Sequence, residues 1–372
     1  MAKRTVTLTC VTALASILMA AAAHAQPPSA AKPNTPSPEA IAAAQAEIAK
    51  PRTEPGYKTP RLAIGQPDLQ GLWTNASITS LTRPSEFNKL VLTDEEAHHA
   101  TETNPLTVRQ RTDDAGNNLT KSDGKDLNSG RGYNAFWISP GDGYGSVKGS
   151  FRTSWIVDPP NGQIPITAEG RKVQAELAKG LPRGGFNNPE ERGLGERCVI
   201  SFAGHAGPIM NNSRYYNDNF QIVQSPDAVM ILLEMNHDAR IIPLGKDRKH
   251  RPAAMAPYMG DSIGWWEGDT LVVETINFNH AQVAMGRVPL SKDGKLIERF
   301  TRYNDTQVLY EFEVNDPTIY SQVWKGEMSF NPSQGIYEYA CHEGNYAMHG
   351  ILSGARVNEA AGKDVGDGRQ GE

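Results

Sequence analysis

The stretch YEYACHEGNYAMHG, residues 337–350, places a cysteine, a histidine and a glutamate in a row. A neighbouring histidine and carboxylate can act together as a general acid and base, or they can bind a metal ion. They can also be no more than the polar end of a strand that a disulfide holds in place. If residues 337–343 form a strand, the two tyrosines, the cysteine and Glu343 share one face, and we expect that face to be buried. Glu343 would then need either an ion-pair partner such as Arg197 or a raised pKa that suits acid/base work.

A second concentration of polar side chains lies in EMNHDAR, residues 234–240. In an extended chain, every second residue from Glu234 to Arg240 forms a polar row, opposite an apolar row that includes His237. Inside a barrel such a row would be a binding surface, whereas outside it would be an ordinary solvated face. The arginine in this row could hold an anionic or developing-anion group on a substrate.

The two stretches supply the catalytic residues of one predicted site. Lyase or isomerase chemistry requires a base, an acid and a group that stabilises an anion. The candidate catalytic residues are His342, Glu343, His237 and Asp238. The candidate substrate-binding residues are Arg240, Tyr215, Asn219 and Trp137.

The first residues of the chain are typical of a secretory signal peptide. Lys3 and Arg4 precede an apolar run over residues 6–23, and residues 23–25 read Ala-His-Ala, the form of a cleavage site. Threonines and a serine interrupt the apolar run, which argues against a membrane anchor. We therefore predict that residues 1–25 are removed and that the protein is periplasmic or secreted, with no stable membrane insertion.

Cleavage would remove Cys10 and leave Cys198 and Cys341 as the remaining cysteines. An even pair in an oxidising compartment predicts a disulfide. Closing so long a loop would stabilise the fold by about 4 to 5 kcal/mol through lost entropy of the unfolded chain. The disulfide would leave no thiolate to act as a nucleophile.

Three familiar motifs fail in their sequence context. GDSIG at residues 260–264 matches a nucleophile elbow, but a hairpin turn, WEGDT, follows where a helix is required. GDGYGS at residues 141–146 lacks the last glycine of a dinucleotide-binding fingerprint and precedes no helix. His342 and Glu343 lack the second histidine of a zinc protease, because Tyr346 stands at that spacing.

Composition and charge narrow the class of protein. The chain of 372 residues contains 25 prolines and 35 glycines, which favours long irregular connections. Its formal net charge of −5 and the absence of a basic stripe in the sequence argue against a nucleic-acid partner. We predict a signal peptide at residues 1–25, a Pro/Ala linker with a short helix at 26–60, a single β-rich domain at 61–356 and a flexible tail at 357–372.

Helix signals concentrate in the N-terminal half. Residues 38–50 are rich in alanine and have a proline in the first turn, Thr93 and Glu96 form a capping box, and residues 168–179 have a typical start and stop. Residues 104–150 are rich in Asn, Asp, Gly and Ser, which predicts a long loop.

From residue 220 onward, short β-branched and aromatic runs alternate with turn-forming sets. The runs are FQIVQ, VMILLEM, ARIIPL, TLVVETINF, IERFTRY, TQVLYEFEV, TIYSQVW and IYEYAC. Within one of them, Val308, Tyr310, Phe312 and Val314 fall on one face of the strand. The pattern predicts a mainly β fold, an antiparallel β-barrel or β-sandwich with a few peripheral helices and long loops, in which a barrel could enclose a lipocalin-like cavity.

The segments RTSWIVDPPNGQIP, EMNHDARIIPL, GWWEGDTLVVET and YEYACHEGNY together resemble an uncharacterised family of exported bacterial proteins. The resemblance covers roughly residues 65–356. Its pattern centres on HDAR and CHEGNY, which implies a role for the histidines, acids and arginine of those two segments, whereas His349 lies outside the pattern. The resemblance implies export, without implying a particular reaction.

Different classes of function fit these residues. We predict an enzyme without a cofactor, a lyase or isomerase rather than a hydrolase, that acts on a small aromatic, polycyclic or glycosidic molecule. The alternative is a non-catalytic, lipocalin-like binder of a hydrophobic small molecule. A third hypothesis is a metal-dependent enzyme, its ion held by His237, Asp238, His342 and Glu343, although their spacing is not diagnostic.

Overall fold

The computed structural model describes residues 35–114, 140–179, 185–201, 209–213, 216–279 and 288–363. The predicted signal peptide and the first part of the linker lie outside the described residues, as do Trp137, Tyr215 and the last part of the predicted tail. No helix among the described residues combines the length and the apolar character needed to cross a membrane.

The helices are α1 Pro38–Ile48, α2 Asp94–Thr103, α3 Pro105–Asp114, α4 Ala168–Lys179 and α5 Tyr346–Ala360. The predictions of α1, α2 and α4 are confirmed, and the capping box of α2 is formed. Two predictions are wrong: α3 begins within the expected loop at 104–150, and α5 extends into the expected tail.

The strands are β1 Gly71–Thr74, β2 Val91–Leu92, β3 Ser146–Val147, β4 Ser150–Arg152, β5 Ile156–Asp158, β6 Asn219–Gln224, β7 Ala228–Leu233, β8 Ala239–Pro243, β9 Asp261–Glu267, β10 Thr270–Ile276, β11 Lys295–Asn304, β12 Gln307–Asn315 and β13 Trp324–Pro332. The pairs that these strands form are antiparallel, as predicted. The sequence GDSIG lies at the start of β9 and its hairpin with β10, so Ser262 sits in a strand and not in a nucleophile elbow.

A ten-stranded sheet forms the centre of the fold, in the order β8-β7-β6-β1-β13-β12-β11-β10-β9, with β5 paired to β13. The strands from β9 to β13 each pair with the next strand along the chain, and so do those from β6 to β8. The N-terminal strand β1 joins the two groups, because it pairs with β6 on one side and with β13 on the other. A smaller sheet has the order β2-β4-β3.

The two end strands of the large sheet, β8 and β9, contact each other. A parallel bridge links Leu244 to Gly264, and the amide of Gly245 donates to the carbonyl of Gly264 at 2.8 Å. The end strand β9 is therefore in contact with the chain just beyond β8.

Aromatic side chains fill the space on the inner face of this sheet. The predicted alternation in β12 is confirmed, since Tyr310 and Phe312 are buried while Glu311 and Glu313 are partly exposed. The Tyr310 ring stacks on Phe330 of β13 with a centroid separation of 5.0 Å. Burying aromatic surface of this kind is the dominant favourable contribution to a β-sheet core.

A buried ion pair crosses this inner face. Arg240 of β8 donates to Glu298 of β11 from both terminal nitrogens, and to the hydroxyls of Ser262 and Thr275. The hydroxyl of Tyr310 also donates to Glu298, at 2.8 Å. Burial raises the pKa of Tyr310 well above its usual value, and the Glu298 carboxylate raises it further, so this phenol remains a hydrogen-bond donor.

Removing one member of this ion pair should destabilise the fold strongly. We expect Glu298→Gln to lower the free energy of unfolding by about 3 to 5 kcal/mol, because Arg240 is left as a buried charge without its counter-ion. The double substitution Arg240→Met with Glu298→Leu should cost less than the sum of the single changes.

Urea denaturation measures these free energies. The control is Glu169→Gln, which breaks the exposed pair with Lys172 and should change stability by less than about 0.5 kcal/mol. A loss with Glu298→Gln as small as that of the control would contradict the assigned role of the buried pair.

Candidate active site

Three separate segments of the chain converge where β7 ends and β8 begins. The predicted disulfide between Cys198 and Cys341 is formed, with a Cα–Cα distance of 5.8 Å. Close to this disulfide, the amide of Ser201 donates to Asp238 at 2.8 Å. The amide of Tyr337 lies 3.4 Å from a carboxylate oxygen of Glu234. The two polar stretches of the sequence, 234–240 and 337–350, are therefore neighbours in the fold.

The connection from β7 to β8 is a tight turn and not an extended chain. Asn236 and His237 have φ values of 59° and 45°, and the amide of Leu233 donates across the turn to the carbonyl of Asp238. Asparagine and histidine are among the residues that adopt this left-handed conformation most readily. The prediction of one continuous polar row is therefore wrong, and His237 is exposed instead of facing the core.

Glu234 is the buried carboxylate that ties these segments together. It is only 4% exposed and accepts hydrogen bonds from the side-chain amides of Asn217 at 2.6 Å and Asn219 at 2.7 Å. The side chain of Asn219 also accepts from the hydroxyl of Ser333. Asn219, a predicted substrate-binding residue, therefore helps to hold Glu234 in place.

Asp238 is the half-buried carboxylate of the convergence. Burial raises its pKa above the ordinary aspartate value. Hydrogen bonds from the Ser201 amide and the Asn236 side chain oppose this rise, as does the neighbouring His237, but they do not cancel it. A carboxylate with a raised pKa is a stronger base than an exposed one.

Tyr339 is a half-buried tyrosine whose ionisation the Asp238 carboxylate influences. Burial raises the pKa of Tyr339, and the nearby Tyr216 and Asp238 side chains raise it further. The Tyr339 phenol consequently keeps its proton at neutral pH and remains a hydrogen-bond donor. Neither Tyr216 nor Tyr339 is among the predicted site residues, although Tyr339 stands two residues before the predicted half-cystine Cys341.

His342 and Glu343 lie in a different environment. The predicted strand at 337–343 is wrong, because residues 341–344 form a turn that leads into α5, and Asn345 caps that helix. Both side chains are exposed, as is Tyr337, so the expected burial of this face is also wrong. Neither His342 nor Glu343 makes a side-chain hydrogen bond or ion pair within the described part of the chain, and this includes the expected partner Arg197.

Arg240 points away from this convergence. Its guanidinium is 3% exposed and is occupied by Glu298, Ser262 and Thr275 on the inner face of the sheet. Of the predicted site residues, the structure thus groups Asp238, His237 and Asn219 around Glu234, and separates Arg240 from them. Tyr215 and Trp137 lie outside the described residues.

Comparison with protein-family models finds no match for this chain, and comparison with curated proteins finds none either. Within the described ranges, no three His, Cys, Asp or Glu side chains are grouped as a metal ion would require. The chemistry of the site therefore has to be inferred from its own residues.

The raised pKa of Asp238 has a measurable effect on stability. A carboxyl group whose pKa is higher in the folded than in the unfolded state favours folding while it is protonated, so its contribution to the unfolding free energy falls as the pH rises through these two pKa values. We expect Asp238→Asn to be as stable as the wild type in acid and more stable at neutral pH.

Thermal melting of both proteins across this pH range provides the test. Asp305→Asn, an exchange at an exposed aspartate, serves as the control for the loss of one negative charge. A variant that loses stability relative to the wild type on going from acid to neutral pH would show that the pKa of Asp238 is lowered instead.

Proposed function

We propose that the protein is an exported enzyme that performs general acid/base chemistry on a small molecule, with Asp238 as the residue that takes the proton. The observation that carries the proposal is the half-buried Asp238 carboxylate, which the Ser201 amide holds at 2.8 Å, whose pKa is raised by burial, and whose charge in turn raises the pKa of Tyr339. Proton abstraction requires a general base and a hydrogen-bond donor that stabilises the developing anion.

The reaction type follows from this pair of groups. Asp238 would remove a proton from a carbon next to a carbonyl group, and the electron pair left behind would move onto the carbonyl oxygen, which Tyr339 would stabilise by donating a hydrogen bond. Return of the proton to a different carbon is an isomerisation, and loss of a leaving group is a lyase reaction. Small aromatic, polycyclic or glycosidic molecules remain the proposed substrates.

We assign the proton transfer to Asp238 and not to His342 and Glu343, because a base in a partly water-excluded position gains more from its surroundings than an exposed one. His342 and Glu343 are exposed and follow Cys341 at the edge of the convergence. In this proposal they can contact substrate without exchanging protons with it.

A lipocalin-like binder would need open space on the inner face of the sheet. Tyr310, Phe330 and Phe220 pack there against one another, with centroid separations of 5.0 Å and 4.6 Å. These contacts favour a site at the turn from β7 to β8 over a ligand cavity on the inner face of the sheet. The contact of β8 with β9 supports a barrel-like sheet as the finer description of the fold.

Export is supported by the disulfide between Cys198 and Cys341. Such bonds form and persist in oxidising compartments and are rare in the cytosol. The proposal combines this bond with the signal-peptide pattern of residues 1–25.

Substitution at Asp238 should abolish turnover without unfolding the protein. On a panel of aromatic, steroid-like and glycoside substrates, we expect Asp238→Asn to lower the rate by ~10² to 10⁴, because the general base is lost. Tyr339→Phe should lower it by about 10², the effect of removing a donor to the developing anion. The wild-type rate should rise with pH as Asp238 ionises.

Glu338→Gln is the matched control, because Glu338 is an exposed carboxylate adjacent to Tyr339. This control should retain full activity. A folded His342→Ala variant should retain the wild-type rate of proton transfer. Turnover by Asp238→Asn equal to that of the wild type would refute the assignment, and a loss confined to His342→Ala would return the role to that histidine.

A further inference from the structure

A second concave site lies between α2, α3 and the loop at 141–144. Its residues are distinct from those around Asp238. It encloses a cavity of about 790 Å³, within the size range of small-molecule sites in proteins. The residues that line it are Asp94, Ala97, His98, Thr101, Glu102, Thr107, Gln110, Arg111, Gly141, Asp142, Gly143, Tyr144 and Phe151.

Close backbone packing builds the floor of this cavity. A Cβ atom on Gly143 would lie 2.8 Å from the hydroxyl of Thr101, and one on Gly141 would lie 2.6 Å from the carbonyl oxygen of Ala76. The carbonyl of Gly143 accepts from the amide of Ile78 at 3.0 Å. The loop is thus held against α2, so the polar side chains around the cavity are presented from rigid supports.

The charges around the cavity are only partly paired. Arg111 forms a two-pronged ion pair with Glu102, with one contact at 2.6 Å, and this hydrogen bond lowers the pKa of Glu102. Asp94 and Asp142 make no side-chain hydrogen bond or ion pair within the described residues. These two carboxylates can therefore accept hydrogen bonds from a ligand.

Both hydrogen-bond donors and acceptors face the cavity. The Gln110 amide and the Thr101 and Thr107 hydroxyls can do both, and the carboxylates accept only. The partly exposed Phe151 adds apolar ring surface, whereas Tyr144 is buried and packs edge-on against Phe87. A hydroxyl group is itself a donor and an acceptor, and a sugar ring also has an apolar face, whereas an organic cation would use the acceptors alone.

We propose that this cavity binds a polyhydroxylated ligand, a short oligosaccharide, through Asp142, Gln110 and the threonine hydroxyls, with a ring face against Phe151. This site uses none of the residues around Asp238. The inference therefore stands independently of the proposed acid/base activity, and its test is a measurement of binding that requires no turnover.

Isothermal titration calorimetry of the full-length mature protein with maltotriose, cellotriose and chitotriose tests the proposal, with spermidine as a cationic probe. We expect at least one trisaccharide to bind. Asp142→Ala and Gln110→Ala should each weaken that binding by about tenfold, the effect of losing one or two ligand hydrogen bonds. Asp142 is exposed, so its replacement should not disturb folding.

Glu95→Ala is the matched control, because Glu95 lies on α2 next to Asp94 but does not line the cavity. It should bind the trisaccharide like the wild type. The proposal is overturned if no trisaccharide binds, if Asp142→Ala and Gln110→Ala bind as tightly as Glu95→Ala, or if only spermidine binds, which would assign the cavity to organic cations.

Discussion

The guanidinium of Arg240 has to find acceptors within the sheet, because a charge this deeply buried is tolerated only when it is paired and hydrogen-bonded. Glu298 of β11, Thr275 of β10 and Ser262 of β9 supply them. One side chain from the first strand of the sheet thereby contacts three strands at the opposite end. Arg240 can reach these acceptors only because β8 lies close to β9. Its ion pair and hydrogen bonds in turn stabilise that arrangement of the strands.

The position of the candidate site follows from that constraint. Asp238 stands two residues before Arg240, at the end of the turn that leads into β8, so anchoring the arginine inside also fixes where the carboxylate emerges. Glu234 holds the other side of the turn through Asn217 and Asn219, and the disulfide holds the incoming segment at Cys341. Support from independent contacts of this kind is what a catalytic group requires for accurate placement.

Local pattern was sufficient to predict most of the strands from β6 to β12, since each has its own alternation and turn signals. It failed for TIYSQVW, where Asp316 accepts from the amides of Thr318 and Ile319 and makes a turn, so that β13 begins only at Trp324. It failed again at 337–343, whose alternating tyrosines look like a strand but find no partner strand. Alternation indicates an extended segment with one apolar face. A strand also needs a neighbouring strand to pair with, and the sequence of the segment does not show whether one is present.

Apart from the disulfide, the sequence does not reveal which distant segments meet. Nothing in the GLWT of β1 indicates that it lies between β6 and β13, and Arg240 and Glu298 are 58 residues apart. The disulfide was predictable because the predicted cleavage leaves two cysteines, which allow a single pairing. The sequence neighbours of Asp238 predict its role, whereas its burial and its influence on the pKa of Tyr339 arise only from the convergence of segments.

The most direct test of this account is the titration of the Asp238 carboxyl group, followed by its ¹³C chemical shift in the folded protein and assigned by its disappearance in Asp238→Asn. The account predicts a midpoint above about 3.9, the value of an unperturbed aspartate. A midpoint at or below that value would mean that the hydrogen bonds from Ser201 and Asn236 outweigh burial, and would contradict Asp238 as the base of the site.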